Sequence, residues 1–458
     1  MLPQWFSVLP PLVAIAVVLW RRDVIAALVL AIFTAELLLV ADHWSAPGAA
    51  MLNTLERIVS VFASPGNTRL LIFSLLIGAL LAYIRASGGV AAVVVAIVSK
   101  GLAKNARQAA LLTSGVGTAV FVESNLSVLT AGILSRGLFD RFGLNRAKLA
   151  YIIDSTSAPV CILILLNGWG AFVLALLGDY ELGASAAAVL WGSVAYNFYA
   201  LVTLLVVFLT AASGRYFGPL ATSPSLVEHT GDAADECQAT RMRYMLAPLA
   251  VMVGGMIGFM LWTGDGDITA GSGSKSALYA TALATLLAYL QMLRSGRYPH
   301  AKLASIGFQG MGELLPLVTI LLLALALGSS LGELGTGDTI AGIVSAALPK
   351  FLVPAVLFIA GALIAFSTGT SWGTFAILIP LGMPLVGAMD LPPALLLAAI
   401  LGGGVFGDHC SPISDTTAVS SIASGCDLLE HVRTQLPYAL FGGGLALLMY
   451  MVAGLLLV

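Results

Sequence analysis

Charge is what this chain has least of. Only 10% of its 458 residues are Asp, Glu, Lys or Arg, against about 25% in soluble domains, so it is not a water-soluble globule. The charge present nearly balances, 21 basic against 23 acidic side chains, which leaves no basic face for nucleic acid. Cysteine is equally sparse. Cys161, Cys237, Cys410 and Cys426 show neither metal-ligand spacing nor a paired extracellular framework, and read as reduced. No histidine or cysteine pair stands near His409 at ligand spacing, so no metal other than a transported ion is expected. The alternating strands of a membrane β-barrel are missing. A basic n-region ahead of the apolar run Trp5 to Trp20 is missing too, so that run is expected to be retained rather than cleaved.

Apolar length is what the chain has in abundance. Hydrophobic residues make up 59% of it and the mean hydropathy is +0.99. Stretches of about 20 apolar residues recur throughout, each long enough to cross a hydrocarbon core of roughly 30 Å. The fold class this implies is an all-α polytopic membrane protein, placed in the cell (cytoplasmic or inner) membrane with the lipid bilayer as its surroundings. Basic residues orient it. Arg21 and Arg22, Arg85 to Arg107, Arg136 to Lys148, Arg215 to Arg243, Arg294 to Lys302 and His431 to Arg433 fall on one side. The loops Asp42 to Asn67, Asp179 to Gly183, Asp265 to Lys275 and Ser329 to Asp338 fall on the other. With the basic clusters inside, both termini are extracytoplasmic.

This path requires two segments that enter and leave by one side. Residues 107–135 are interrupted by Ser114 to Thr118 and by Glu123-Ser124-Asn125, and residues 352–387 by Ser367 to Thr374. Both read as re-entrant hairpins, whose non-helical tips must be buried in protein or line a cavity. Residues 1–213 then form five transmembrane helices plus a hairpin, and residues 244–458 form the same, joined by a polar cytoplasmic linker at 214–243. Five crossings reverse direction, so the halves are an inverted repeat. Each carries a broken helix, at 147–178 and at 392–425. Such discontinuous helices in corresponding places mark the binding site in secondary transporters.

The broken helices carry the chemistry. Asp154, Ser155, Thr156, Ser157 and Pro159 interrupt the first; Asp408, His409, Ser411, Pro412, Ser414, Asp415, Thr416 and Thr417 interrupt the second. Intramembrane acids survive mainly facing a protein interior or a water path. A carboxylate there can hold a proton or an alkali cation, and hydroxyl and carbonyl oxygens suit a hard cation. Asp154, Asp408 and Asp415 therefore lead as ion-binding and proton-coupling groups, with His409 as a relay, as a group that orients Asp408, or as a cap on the helix break. Hydroxyls in membrane helices also bond back to the preceding turn, the ordinary role of an isolated one. Glu123, Ser124 and Asn125 in the first hairpin and Thr370 and Ser371 in the second are further oxygen donors; a cap on the hairpin turn is the plainer alternative. Glu36 and Glu313 lie near enough to span ends to snorkel, and Trp169 and Trp372 read first as packing. A membrane aspartyl protease would need Gly-x-Gly-Asp; here Asp408 follows Gly404-Val405-Phe406-Gly407. No enzyme and no cofactor are expected.

Gly407-Asp408-His409-Cys410-Ser411-Pro412-Ile413-Ser414-Asp415-Thr416-Thr417 closely resembles the signature of the NhaC-type Na+/H+ antiporter family. So do the runs Lys148 to Pro159 and Gly369 to Thr374. Smaller matches are Leu9-Pro10-Pro11, Pro65-Gly66-Asn67, Tyr196 to Tyr199, Gly335-Thr336-Gly337 and His431 to Tyr438. The resemblance runs over nearly the whole chain. It implies an ion-transporter-superfamily fold with the site between hairpin tips and broken helices, and cation/proton exchange, sometimes coupled to an organic anion. Where family members often carry a Phe-Phe-Asp-Asp-Tyr-Ala-Asn-like stretch, this chain has Phe121-Val122-Glu123-Ser124-Asn125-Leu126-Ser127, one carboxylate fewer. Two readings stand: an antiporter admitting protons and exporting Na+ (with Li+ as a further ion), and a cation-coupled carrier of an organic anion or amino acid. A homodimer is compatible with either.

Overall fold

The computed structural model describes the chain apart from residues 1–3, 41–45, 100–102, 122, 179, 224–239 and 268–270. Most of the expected linker, together with Asp42, Lys100, Val122, Asp179 and Cys237, therefore lies outside the described residues. The first half contains α1 (Leu9–Arg21), α2 (Val24–Leu39), α3 (Ala46–Ser60), α4 (Pro65–Ala86), α5 (Gly89–Ser99), α6 (Ala106–Ala119) and α7 (Ser124–Arg141). It continues with α8 (Arg146–Leu163), α9 (Gly168–Leu177), α10 (Ala186–Tyr196), α11 (Phe198–Ser213) and the single turn α12 (Pro219–Thr222). The second half contains α13 (Arg243–Thr263), α14 (Gly273–Arg294), α15 (His300–Glu333), α16 (Thr336–Ala347), α17 (Val353–Thr368) and α18 (Ser371–Gly382). It closes with α19 (Pro384–Met389), α20 (Pro393–Cys410), α21 (Asp415–Ser424) and α22 (Leu428–Leu457).

Among the described residues, eight helices are long and apolar enough to cross a membrane, or ten if α8 with α9 and α10 with α11, each pair bent by 44°, count as single spans. The first two apolar runs differ from expectation. They give the shorter apolar helices Trp5–Arg21, in which a 3-10 turn leads into α1, and Val24–Leu39, against the ~20 residues typical of a crossing. The reason is local: Arg22 turns left-handed with φ 56° and ends α1. Asp23 then caps α2 by accepting from the Ala26 N–H at 3.0 Å.

The helices pack in two groups. In one, α4 lies against α14 and α15, α13 against α14, and α2 against α15. In the other, α20 is enclosed by α10, α17, α18 and α22, while α8 packs on α6, α7, α11 and α21. Helices α9 and α18 touch both groups. The contact of α4 with α15 is backbone on backbone at Gly78 and Gly310, where a Cβ on either would come within 2.3 Å of the other's carbonyl oxygen. Small residues permit such approach in membranes, where packing rather than hydrophobicity drives helix association. Gly310→Val is expected to cost about 3 kcal/mol, the upper end for overpacking, read as a lowered melting temperature in detergent. An unchanged melting temperature would refute this contact.

The two broken helices differ in where they break. The sequence places the first interruption at Asp154 to Pro159, but α8 continues through Pro159 and stops at Leu163. A helical proline removes one N–H, and here that frees the Ser155 carbonyl without ending the helix. The break falls at 164–167 instead, where Asn167 starts α9 by accepting from the Gly170 N–H at 3.0 Å. The second break falls where read, between Cys410 and Asp415 around Pro412.

Candidate ion and substrate site

Four helices begin at one place. Residues at the starts of α7 (Glu123, Asn125), α9 (Gly168, Trp169), α18 (Thr370, Trp372) and α21 (Asp415) line a single cavity of about 270 Å3. Phe73 to Leu81 of α4 and Glu313 to Ile320 of α15 supply the rest of its wall. A helix start leaves N–H groups unbonded and carries about half a positive charge. Four of them together strongly favour negative groups, and carboxylates stand at three. Glu123 accepts from the N–H groups of Asn125 (2.9 Å) and Leu126 (2.7 Å) at α7. Asp415 accepts from the Thr416 N–H (2.8 Å) at α21. Asp408 accepts from the Ser371 N–H at 3.0 Å at α18, and from the Ser371 hydroxyl. At α9 the cap is the neutral Asn167, and among the described residues no carboxylate is hydrogen-bonded to that helix start.

Side chains fasten the helix starts together. The Asn167 amide nitrogen lies 2.8 Å from each of three carbonyl oxygens, those of Phe121, Cys161 and Ile164, and so joins the first hairpin tip to the first break. Cys161 Sγ also donates to Phe121 O at 3.2 Å. In the second half Ser411 Oγ donates to Phe366 O at 2.8 Å. Gly369 forms that hairpin's tip with φ +69°, and a Cβ there would meet Ile413 O at 2.4 Å. Only glycine combines that left-handed turn with so close an approach.

The three leading acids occupy different surroundings. Asp415 is exposed to the cavity. Asp408 is buried behind it at 1% exposure, with Oδ1 unpartnered. Asp154 is fully buried and held on three sides: Ser420 Oγ donates to Oδ1 at 3.2 Å, Gln435 Nε2 donates to Oδ2 at 2.5 Å, and His431 Nε2 lies 3.3 Å from Oδ2. His409 shares a hydrogen bond through Nδ1 with the Tyr199 hydroxyl at 2.9 Å, and its carbonyl accepts from Gln435 at 3.2 Å. A small cavity touching Ser155, Tyr199, His409 and Gln435 lies beside this network.

Most of the other hydroxyls are committed. Thr156 bonds back to Ile152 O (2.8 Å), Ser157 to Asp154 O (3.1 Å), and Thr417 to Asp408 O (3.4 Å). Ser414 pairs with Thr416 at 3.0 Å, and Ser124 lies at 3.5 Å from Glu123 Oε1. Thr370 Oγ1 accepts weakly from the Gly373 N–H at 3.4 Å and lines the cavity. Glu313 lines the cavity and is paired with Arg85. Glu36 does not snorkel: it is buried against Arg57 (2.7 Å) and Ser330 (2.8 Å), remote from the site. Among the described residues no group of three or more His, Cys, Asp or Glu could hold a metal ion.

Sequence reasoning missed His431, Gln435, Ser420 and Tyr199. The sequence counts His431 with Arg433 among the basic residues of one side, and the structure differs: His431 is fully buried against Asp154. The available signal was the spacing of His431 and Gln435, four residues apart and so on one helix face.

Comparison with known proteins decides the family. The family described as "Na+/H+ antiporter family" matches residues 161–455, nearly two thirds of the chain. This chain belongs to the Na+/H+ antiporter family. The match begins after Asp154 but includes Asp408, Asp415, His431 and Gln435. An uncharacterised protein of Haemophilus influenzae is 31% identical over 95% of this chain and 88% of its own length. The arginine/ornithine antiporter ArcD of Halobacterium salinarum is 40% identical, over 23% of each chain. The YdaH transporter of Alcanivorax borkumensis has the same fold, with a TM-score of 0.60 at 14% identity over 88% of both chains. The family member described here is thus a multi-pass membrane protein of a cation-coupled secondary-transporter family.

Proposed function

We propose that the protein is a Na+/H+ antiporter of the cell inner membrane, exchanging cytoplasmic Na+ for external protons at Asp408 and Asp415. The observation that supports this reading is the set of carboxylates facing helix starts around one cavity. Partial positive charge holds the acids in place, and a proton or a cation can complete the neutralisation of either one. Thr370, Asn125 and Glu123 border the same cavity and offer further oxygens. Asp154, already satisfied by Ser420, Gln435 and His431, is a positioning group: it ties α8 to α21 and α22. With the basic clusters on the cytoplasmic side, the cavity borders the middle of α4 and of α15. In that arrangement both termini are extracytoplasmic.

The inverted repeat is part of this proposal. In each half, a side chain of the broken helix holds a carbonyl of the preceding hairpin, Cys161 on Phe121 and Ser411 on Phe366. Solid-supported-membrane currents with Na+, Li+ and K+ steps across pH test the function. Na+-dependent charge or proton movement is expected, and its absence at every pH would refute antiport.

The second reading, a cation-coupled organic carrier, is favoured by the size of the cavity. About 270 Å3 corresponds to roughly nine waters at ~30 Å3 each, far more than a sodium ion occupies. The short local match to an arginine/ornithine antiporter points the same way. No Lys, Arg or His stands among the described lining residues, so a purely anionic solute has no cationic side chain to meet it there.

A further inference from the structure

We infer that the cavity accepts an amino acid as a zwitterion, its ammonium at Asp415 and its carboxylate at the start of α9. This rests on the second reading, an organic carrier at the same cavity, and names the substrate class that site would take.

The argument begins from the asymmetry of the four helix starts. At α7, α18 and α21 the positive end is answered by Glu123, Asp408 and Asp415. At α9 it is answered only by the neutral Asn167, which leaves unneutralised positive potential facing the cavity through Gly168 and Trp169. Half-helix starts in this state receive substrate carboxylates in transporters. A second observation is independent of the helix end. Trp169 is 1% exposed, lines the cavity, and its Nε1–H has no hydrogen-bond partner. An indole N–H only donates, and burying a donor unpaired is costly. A carboxylate at α9 would accept from it.

The same cavity also carries acids and acceptors. Asp415 is the acid exposed to it, with Glu123 from the facing hairpin. Trp169 and Trp372 pack on each other with ring centroids 5.0 Å apart and form the apolar wall of the cavity. Asn125 Oδ1, buried and unpartnered, is an acceptor beside them. Donors at α9 and acceptors at α7 and α21 match the two ends of one amino acid. A lone inorganic cation would leave the α9 donors unused.

The test uses the full chain in proteoliposomes on a solid support. Each protein L-amino acid is applied with and without a Na+ gradient, alongside ethylamine and propionate as the separate halves of alanine. In the same vesicles a pH dye follows Na+/H+ exchange. At least one amino acid is expected to give a Na+-dependent current that neither half reproduces or competes for within about ten-fold. Trp169→Phe is expected to raise its half-saturating concentration about ten-fold, the loss of one charge-assisted hydrogen bond. Na+/H+ exchange with no amino-acid current would overturn the inference and leave antiport standing. Amino-acid currents without Na+/H+ exchange would do the reverse. Ethylamine carried as well as any amino acid would also overturn it, since the carboxylate end would then do nothing. These wild-type comparisons decide the matter even if the Trp169 variant fails to fold.

Discussion

Asp408→Asn and Asp415→Asn are each expected to reduce Na+-driven proton exchange to about a hundredth or less, while Asp154→Asn retains a rate within about ten-fold of the parent, each factor of ten being 1.36 kcal/mol of barrier. The contrast comes from the partners each acid has. Asp415 faces the cavity, and Asp408 keeps one oxygen unpartnered immediately behind it. An amide at either place can neither take up a proton nor neutralise a cation. Asp154 differs because both of its oxygens already accept from Ser420 and Gln435. An asparagine fits most of that pattern, keeping one oxygen as acceptor and losing the charge beside His431. The check is initial exchange rate in proteoliposomes at matched protein density. Loss of exchange in Asp154→Asn with survival in Asp415→Asn would reverse the roles assigned here.

The second large effect is expected from Asn167→Leu. The leucine keeps the branching and heavy-atom count of the side chain, is somewhat bulkier, and removes the amide. With it go the cap on α9 and the contacts to the carbonyls of Phe121, Cys161 and Ile164. A lost cap costs about 1 kcal/mol, and each buried carbonyl left unsatisfied costs ~1–3 kcal/mol. A total of about 3 kcal/mol or more is therefore expected, seen as a clear drop in melting temperature in detergent. Because Asn167 joins the first hairpin tip to the helix break, transport should fall as well. A variant as stable and as active as the parent would show that the amide fastens nothing.

Much of this architecture was legible in the chain because composition and breakers carry it. Scarce charge and repeated apolar length gave helices in a membrane. Pro412 among polar residues gave the second break where it occurs. Pro159 misled, since a single missing N–H is tolerated inside a helix. The true break follows from Asn167, whose capping role depends on carbonyls 3 to 46 residues away. The break between the first two apolar helices is a charged turn of Arg22 and Asp23, not a proline or glycine. The acids of the site were visible because carboxylates in apolar runs are conspicuous. Their partners were not: His431 and Gln435 meet Asp154 from about 280 residues away. Nor could the convergence of four helix starts be seen, since local sequence specifies each cap but not where it points.

The most direct test of Na+/H+ exchange on shared carboxylates is Na+ binding to the purified protein by calorimetry across pH, between about pH 6 and 9. Protons and Na+ competing for Asp408 and Asp415 require the apparent Na+ affinity to fall as pH falls, approaching ten-fold per pH unit for each proton displaced, with protons released as Na+ binds. Na+ affinity that is the same at every pH, with no proton release, would contradict the account.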